Sequence, residues 1–387
     1  MPDLEPLRIV NIVTQMEAGG AQSAAIRLGR ALRDRGHHVD TWFLYRKRPT
    51  YDGEPGVHVL ASRRPRSPLD YARIAIALTA RLRRLSPDVV VMFTHYANVL
   101  GGAAACVAGV RARIATQRSP AHAQPRLAQI LNCLFAMVGV YSANVAVSST
   151  VIDSFGRYPR RFRRTLTLVH NGVSFEPSSL TQDAARKHLG LPLDIPIVGA
   201  VGRLAAVKDH AVLIRALGRL PGCHVAIAGD GELRAELGAL AASLEADGRV
   251  HLLGELSAED VRHFLRAIDI FAFSSKHEAF GFAAAEAALA RVPIVCTRIP
   301  ALVELFDAGG NEESVLFFEV GDDAGLADRV RVLLEDPQLA GRLATAAHCR
   351  VQRFSVDRMV DGYERLILRT ASRTRSADMA VRSGEAL

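Results

Sequence analysis

Short apolar runs and longer helical segments alternate along the whole chain. LRIVNIV (7–13), HVDTWFL (38–44), VHVL (57–60), DVVVMF (88–93), RIAT (113–116), ANVAVS (143–148) and LTLVH (166–170) have strand length and are largely apolar. Such runs are the mark of parallel strands covered on both faces. Between them, 23–35, 69–85 and 98–107 read as helices, the first stopped by Gly36 at a left-handed C′ position. After the polar stretch SFEPSSLT (174–181) the pattern restarts. Helices are expected at 183–189, 210–220, 232–246 and 258–267, with strands at 196–201, 224–229, 250–253 and 271–273. A helix running to Arg291, strands 293–297 and 314–318, and helices 323–335, 336–349 and 356–369 complete the series. Strict βα alternation predicts two successive Rossmann-like, doubly wound parallel sheets. The small, polar residues 370–387 are expected to be disordered.

One segment admits two readings. Leu127–Val147 is uncharged over 21 residues, long enough to span a bilayer. Gln129, Asn132, Ser142 and Asn144 interrupt it. It therefore reads as a helix followed by a strand, the helix either packed in the core or resting on a membrane surface.

Composition narrows the class. With 387 residues and 49% hydrophobic residues the chain can build two cores. Its five cysteines form no CxxC pair, so neither a disulfide framework nor a zinc site is expected. The start, MPDLEPLRIVNIV, does not read as a signal peptide. Net charge is +8, but residues 1–180 hold 24 Lys+Arg against 11 Asp+Glu, or +13, leaving −5 for the rest. A basic first half suggests an anionic partner such as a lipid surface. No RNA-binding signature or interleaved aromatic pattern supports nucleic acid. AGDGELR has GxGxxR where a dinucleotide fingerprint has GxGxxG, no P-loop or Gly-x-Ser-x-Gly occurs, and no metal ligand set is apparent. No cofactor is expected.

The candidate chemistry centres on FAFSSKHEAFGFAAAEAALARVP (271–293). Glu278 sits at a polar turn and Glu286 eight residues on in an alanine-rich helix, a spacing that would set both carboxylates on roughly one side. Backbone N–H groups of Phe280 and Gly281 at the helix start offer an anion-binding geometry. Arg203 and Lys208 follow the strand PIVGAV, where α/β sheets bind ligands, and could grip a diphosphate. Gly19 and Gly20, after the first strand, would let backbone approach a phosphate.

Together, GGAQ, RGHHV, SPDVVV, VAVSSTV, HNGV, GRLAAVKDH, AGDGELRAEL, HEAFGFAAAEA, PIVCT, ALVEL and FSVDRMVDGYERL resemble the retaining glycosyltransferases of family 4, in order over roughly 7–369. The resemblance implies the GT-B fold, two Rossmann-like domains facing across a cleft. It places an acceptor-binding domain at 1–176, a nucleotide-sugar domain at 177–352 and a helix at 353–369 returning to the first. By similarity, Arg203 and Lys208 would meet the diphosphate charge without a metal. Glu278 would hold donor-sugar hydroxyls in the catalytic centre, Phe280 and Gly281 would supply N–H groups, and Glu286 would accept from ribose. Leu253 would meet the base, and Gly19 and Gly20 the phosphates or sugar. Three positions depart from the family pattern: Gln22 in place of glutamate, Arg118 where many members have histidine, and Arg291 where glycine is usual. Arg118 could contact donor sugar, phosphate or an anionic acceptor. Arg291 could strain or lengthen its turn.

The resulting expectation is retaining, metal-independent transfer from a UDP- or GDP-sugar to a cell-surface glycan or lipid-linked acceptor, by a cytoplasmic protein that can sit peripherally on an anionic membrane. Two alternatives are transfer to a small soluble acceptor (cyclitol, aminosugar or natural product) and an inactive GT-B binding subunit.

Overall fold

The apolar runs become strands of two separate parallel sheets in the computed structural model, which describes residues 5–17, 19–307 and 313–382. The first sheet holds β1 (Arg8–Met16), β2 (His38–Arg46), β3 (Val57–Ala61), β4 (Val89–Met92), β5 (Ala112–Gln117), β6 (Ala143–Ala146) and β7 (Leu166–Leu168) in the order β3-β2-β1-β4-β5-β6-β7. The second holds β8 (Ile197–Val201), β9 (His224–Ala228), β10 (Val250–Gly254), β11 (Ile270–Phe273), β12 (Ile294–Thr297) and β13 (Leu316–Phe318) in the order β10-β9-β8-β11-β12-β13. The pairings within both sheets are parallel, as helical crossovers require. In each sheet the chain winds outward one way from the first strand and then the other way. The switch points therefore lie between β1 and β4 and between β8 and β11.

The period of two along a strand explains why the runs are apolar throughout. In β11, Phe271 and Phe273 enter one core with Ile294, Cys296 and Phe280. Ile270 and Ala272 enter another with Val198, Val225 and Val295. Both faces are covered by helices, so neither set can be polar.

The chain passes from one unit to the other between Gly172 and Val173 and back between Ser355 and Val356, a few residues from the expected 176/177 and 352/353. The last helix, Val356–Arg382, belongs to the first unit. Its Met359, Val360, Tyr363 and Ile367 join the core with Ile9, Val13 and Leu28. Arg35 pairs with Asp361 at 2.7 Å and with Glu364 at 2.5 Å. The helix continues beyond 369, so residues 370–382 are helical where disorder was expected, and 383–387 lie outside the described residues. Leu127–Val147 divides into a helix, Arg126–Met137, and strand β6, as read from its polar interruptions. Among the described residues, no helix is long and apolar enough to cross a membrane.

Candidate functional site

In the second unit, the loops leaving β8 and β11 meet beyond the carboxyl ends of those strands. Ser274 Oγ donates to the Lys208 carbonyl at 2.9 Å, and the Lys276 N–H donates to the Val207 carbonyl at 2.9 Å. Lys276 Nζ lies 3.3 Å from Asp209 Oδ2. Thr297 Oγ1, at the end of β12, donates to the Ser275 carbonyl at 2.7 Å. Three neighbouring strand ends are thereby joined at the second sheet's switch point.

These ties bring Lys208 and Glu278 together although 70 residues separate them. Lys208 Nζ donates to Glu278 Oε1 at 2.5 Å, and Ser275 Oγ donates to the same oxygen at 3.0 Å. The ammonium also lies 5.0 Å from the centroid of the Phe273 ring, where the ring face attracts a cation. The pair is partly accessible, with the side chains 22% and 17% exposed. A ligand can thus reach a cation and a carboxylate whose directions are already set. Beneath the loop, His210 is buried. Burial holds its pKa down to about 4, Lys208 adding to the shift, so the ring is neutral near neutral pH.

The β8 loop is also supported by the GDG turn after β9. A side chain at Gly229, whose φ is +154°, would place its Cβ 1.9 Å from the Gly202 carbonyl oxygen. Gly202 N–H donates to the Ala228 carbonyl at 3.0 Å, and Leu204 N–H to the Asp230 carbonyl at 3.0 Å. The glycine in the near-miss dinucleotide motif therefore allows two loops to touch.

The remaining expected residues separate into several groups. Arg203 is largely exposed and reaches Glu232 at 4.0 Å. Helix Phe282–Leu289 starts four residues after Glu278, so a helical spacing does not relate Glu278 to Glu286. Glu286 is half-buried on a helix whose Ala284, Ala285, Ala287 and Ala288 are buried. Gly281 is the N-cap at φ +95°, and a Cβ there would meet Leu302 at 2.8 Å. The first-turn N–H groups thus begin at Gly281. Phe280 precedes the helix, and its side chain packs in the core against Phe282 and Phe354. Leu253 falls at the irregularity between Leu252 and Gly254 in the β10–β9 register and packs partly against the core.

Arg291 has a specific backbone role. It adopts φ +59° after the helix; its N–H donates to the Ala288 carbonyl and the Val292 N–H to the Ala287 carbonyl, each at 3.0 Å. That is a Schellman ending with its left-handed residue occupied by arginine. The turn keeps the ordinary length; its peculiarity is a side chain in a region where glycine is at ease.

In the first unit, Gly19 and Gly20 are exposed at the start of helix Gly20–Asp34. Gln22 is buried and its Nε2 donates to the Gln15 carbonyl at 3.3 Å. A carboxylate has no proton for that bond, which gives the departure at Gln22 a structural reason. Arg118 donates from Nη2 to Asn171 Oδ1 and lies 5.4 Å from the Phe93 ring centroid. Burial lowers its pKa, with Tyr363 opposing and Arg27 reinforcing.

Sequence reasoning missed Ser275, Asp209 and Phe273 as supports of the pair. The adjacent serines in the polar turn were the available signal. Among the described residues, no cluster of three or more His, Cys, Asp or Glu side chains could hold a metal ion.

Comparison with known proteins agrees with this architecture. Residues 18–176 match the family model Glycosyltransferase Family 4, and 181–349 match Glycosyl transferases group 1. The lipopolysaccharide core biosynthesis glycosyltransferase LpsE of Rhizobium meliloti is 36% identical over 47% of this chain and 52% of its own length. The chain thus spans about half the length of that curated relative. A D-inositol 3-phosphate glycosyltransferase of Xylanimonas cellulosilytica is 28% identical over 92% of this chain and 94% of its own length. Among solved structures, HepE of Anabaena, crystallised with UDP and glucose, superposes with a TM-score of 0.81 at 20% identity, covering 93% of this chain and 98% of that one. With two Rossmann-like sheets and both family models matched in sequence order, the chain belongs to the GT-B glycosyltransferases as a family 4-like member.

Proposed function

We propose that this protein transfers a sugar, with retention and without a metal, from a nucleotide-sugar donor to a cell-surface glycan or glycolipid acceptor. The observation that carries the reading is the accessible Lys208–Glu278 pair at the second sheet's switch point. A diphosphate would compete for the Lys208 ammonium and free Glu278 to accept from donor-sugar hydroxyls. Lys208 then counters the charge growing on the leaving nucleotide, a fixed cation aimed where charge develops. Arg203, exposed on the same loop, supplies a second, mobile cation. The first-turn N–H groups from Gly281 onward add a partial positive charge, and Glu286 accepts from the ribose. This assignment completes an E-x7-E pair of carboxylates, with Phe280 contributing through its backbone and Leu253 beside the base. In the first unit, Gly19 and Gly20 offer backbone N–H groups, and Arg118 a cation for a sugar or anionic group.

The UDP and glucose in HepE and the lipopolysaccharide role of LpsE support the donor and acceptor classes. A cytoplasmic, membrane-peripheral location follows from a lipid-linked acceptor. Transfer to a small cyclitol is the second reading, favoured by the inositol-phosphate relative that matches nearly end to end. The test is thermal-shift screening of UDP-, GDP- and ADP-sugars, because ligand bound to the native state raises apparent stability. Nucleotide release is then measured with the identified donor and lipid-linked or cyclitol acceptors. Stabilisation by a nucleotide sugar and release abolished in Lys208→Ala support the reading. Absence of any donor effect, or full activity in both Lys208→Ala and Glu278→Ala, overturns it.

A further inference from the structure

The first unit buries a cation that its own groups leave half-satisfied. Arg118 follows β5, and its Nη2 donates to Oδ1 of the buried Asn171. Its Nη1 is also buried and has no hydrogen-bond partner. Beside it stands Tyr363 of helix Val356–Arg382, 1% exposed and stacked on Phe93 with ring centroids 6.1 Å apart. The Tyr363 hydroxyl is likewise buried without a partner, and it lies close enough to the guanidinium for each group to shift the other's ionisation. The Arg118 guanidinium carbon is 5.4 Å from the Phe93 ring centroid, so aromatic surface closes one side. Among the described residues no carboxylate pairs with Arg118; the charge that faces it is a second cation, Arg27 of helix Gly20–Asp34.

The missing partner has a definite chemistry. A guanidinium keeps its charge at any working pH and can only donate. Burial pushes the Tyr363 pKa up, so its hydroxyl keeps its proton and is a donor as well. Burying a charge is costly unless it is paired and hydrogen-bonded. Two neighbouring donors beside a second cation therefore call for one acceptor that brings negative charge. A water could accept from both donors, but it would leave the charge uncompensated. Its own two protons would then face a guanidinium, a phenol and the Phe93 ring, short of the polar partners a buried water needs. The acceptor oxygen of Asn171 is already engaged by Nη2. An anion meets both needs, since it accepts from Nη1 and the hydroxyl through charge-assisted hydrogen bonds and sits between positive charges. The flanking rings favour a small ion over a bulky organic acid.

We propose that Arg118 Nη1 and the Tyr363 hydroxyl, facing the charge of Arg27, bind a small inorganic anion of the chloride type inside the first unit. Arg118, Asn171 and Tyr363 come from the loop after β5, the turn after β7 and the last helix. The ion thus ties the returning helix to the sheet through charge as well as through packing. Arg118 becomes a residue that holds an ion in the unit's interior rather than a cation open to any anionic group. This goes beyond the donor-site reading and does not depend on it: an anion response without sugar transfer leaves it intact, and sugar transfer without an anion response removes it alone.

The test titrates the full chain with sodium chloride, replacing the bulky anion of sodium gluconate at constant ionic strength. Thermal unfolding is followed, together with the line width of the chloride NMR signal, which broadens when the ion exchanges onto the protein. Chloride at about ten times its dissociation constant should raise the wild-type Tm by about 3 °C or more over gluconate, and the wild type should broaden the chloride line. Arg118→Met should lose both responses while unfolding within about 3 °C of the wild type in gluconate. Tyr363→Phe keeps the ring on Phe93 and should weaken chloride binding about tenfold, the worth of one hydrogen bond to a charged group. Lys208→Ala should keep the full response, because its cation belongs to the second unit. Equal Tm in the two salts with an unbroadened line overturns the proposal, as does a response unchanged in both Arg118→Met and Tyr363→Phe. So does a response lost in Lys208→Ala but kept in Arg118→Met, which would place the anion at the donor site.

Discussion

The two sheets wind in the same order, yet their switch points hold different chemistry. Between β1 and β4 the Thr14 and Thr94 hydroxyls meet at 2.5 Å, an uncharged contact. Between β8 and β11, Lys208 and Glu278 form an accessible ion pair braced by Ser275. The cation expected to serve ligand binding in the first unit, Arg118, is one strand further along, engaged with Asn171, Phe93 and Tyr363. Topology therefore supplies a place where strand ends diverge, and the side chains in the following loops decide whether it holds charge. The loop leaving β1 also carries an ion pair, Glu17 with Lys47 at 2.6 Å, but its cation comes from the end of β2, whereas Lys208 and Glu278 come from the two strands that flank the second switch point.

The strongest test of that contrast is Lys208→Ala. Loss of a fixed cation aimed at the leaving group should lower nucleotide release at saturating donor by about a hundredfold or more, while Arg118→Met should reduce it far less. Equal losses would erase the distinction between the two units. A second test concerns the neutral histidine under the charged loop. His210 has a folded pKa of about 4, below the unfolded value of about 6.5. The unfolded state therefore binds the proton first. This histidine's contribution is fully present above the unfolded pKa and is lost as pH falls from about 6.5 toward 4, by up to about 3 kcal/mol. Urea unfolding across that window should give a shallower pH slope for His210→Gln than for the wild type; parallel slopes would remove His210 from the acid response.

Arg118→Met should change stability by no more than about 1 kcal/mol in either direction. Removing a buried, desolvated cation gains about as much as is lost when its hydrogen bond to the buried Asn171 goes, so the two effects nearly cancel. A large loss in urea unfolding would make Arg118 a structural element of the first unit. The smallest effect is expected at Arg291→Gly, a gain of about 0.5–1 kcal/mol from relief of the left-handed conformation, partly offset by the freer unfolded chain. A lower Tm in that variant would mean that the arginine side chain contributes more than its backbone conformation costs.

Much of the fold was legible because both sheets are covered on two faces. Every strand of a doubly wound sheet is a near-continuous apolar run, and βα alternation follows directly from the order of such runs. Helix ends were less legible. The stretch after Glu278 reads as one helix, but Gly281 at φ +95° delays its start to Phe282. The polar end of the chain reads as a tail, whereas residues 370–382 continue a helix whose earlier turns are anchored in the first unit's core. At the site, Lys208 and Glu278 were legible as candidates from residue type and position after strands. Their contact was not, because it depends on β8 lying beside β11 and on bonds from Ser274 and Lys276 to the other loop. Arg203 was legible as a cation but not as one directed toward Glu232.

The sequence by itself determined the element order, the two sheets, the charge asymmetry and the residue types available to bind a phosphorylated ligand. These depend on local periodicity and composition. Tertiary structure alone decided which of those residues meet, that Arg291 ends a helix in the left-handed region, and that Leu127, Ile130 and Leu134 face outward. The physical reason is the same in each case. An apolar or charged side chain carries its chemistry in its identity, but its direction and partner are set by backbone positions tens of residues away.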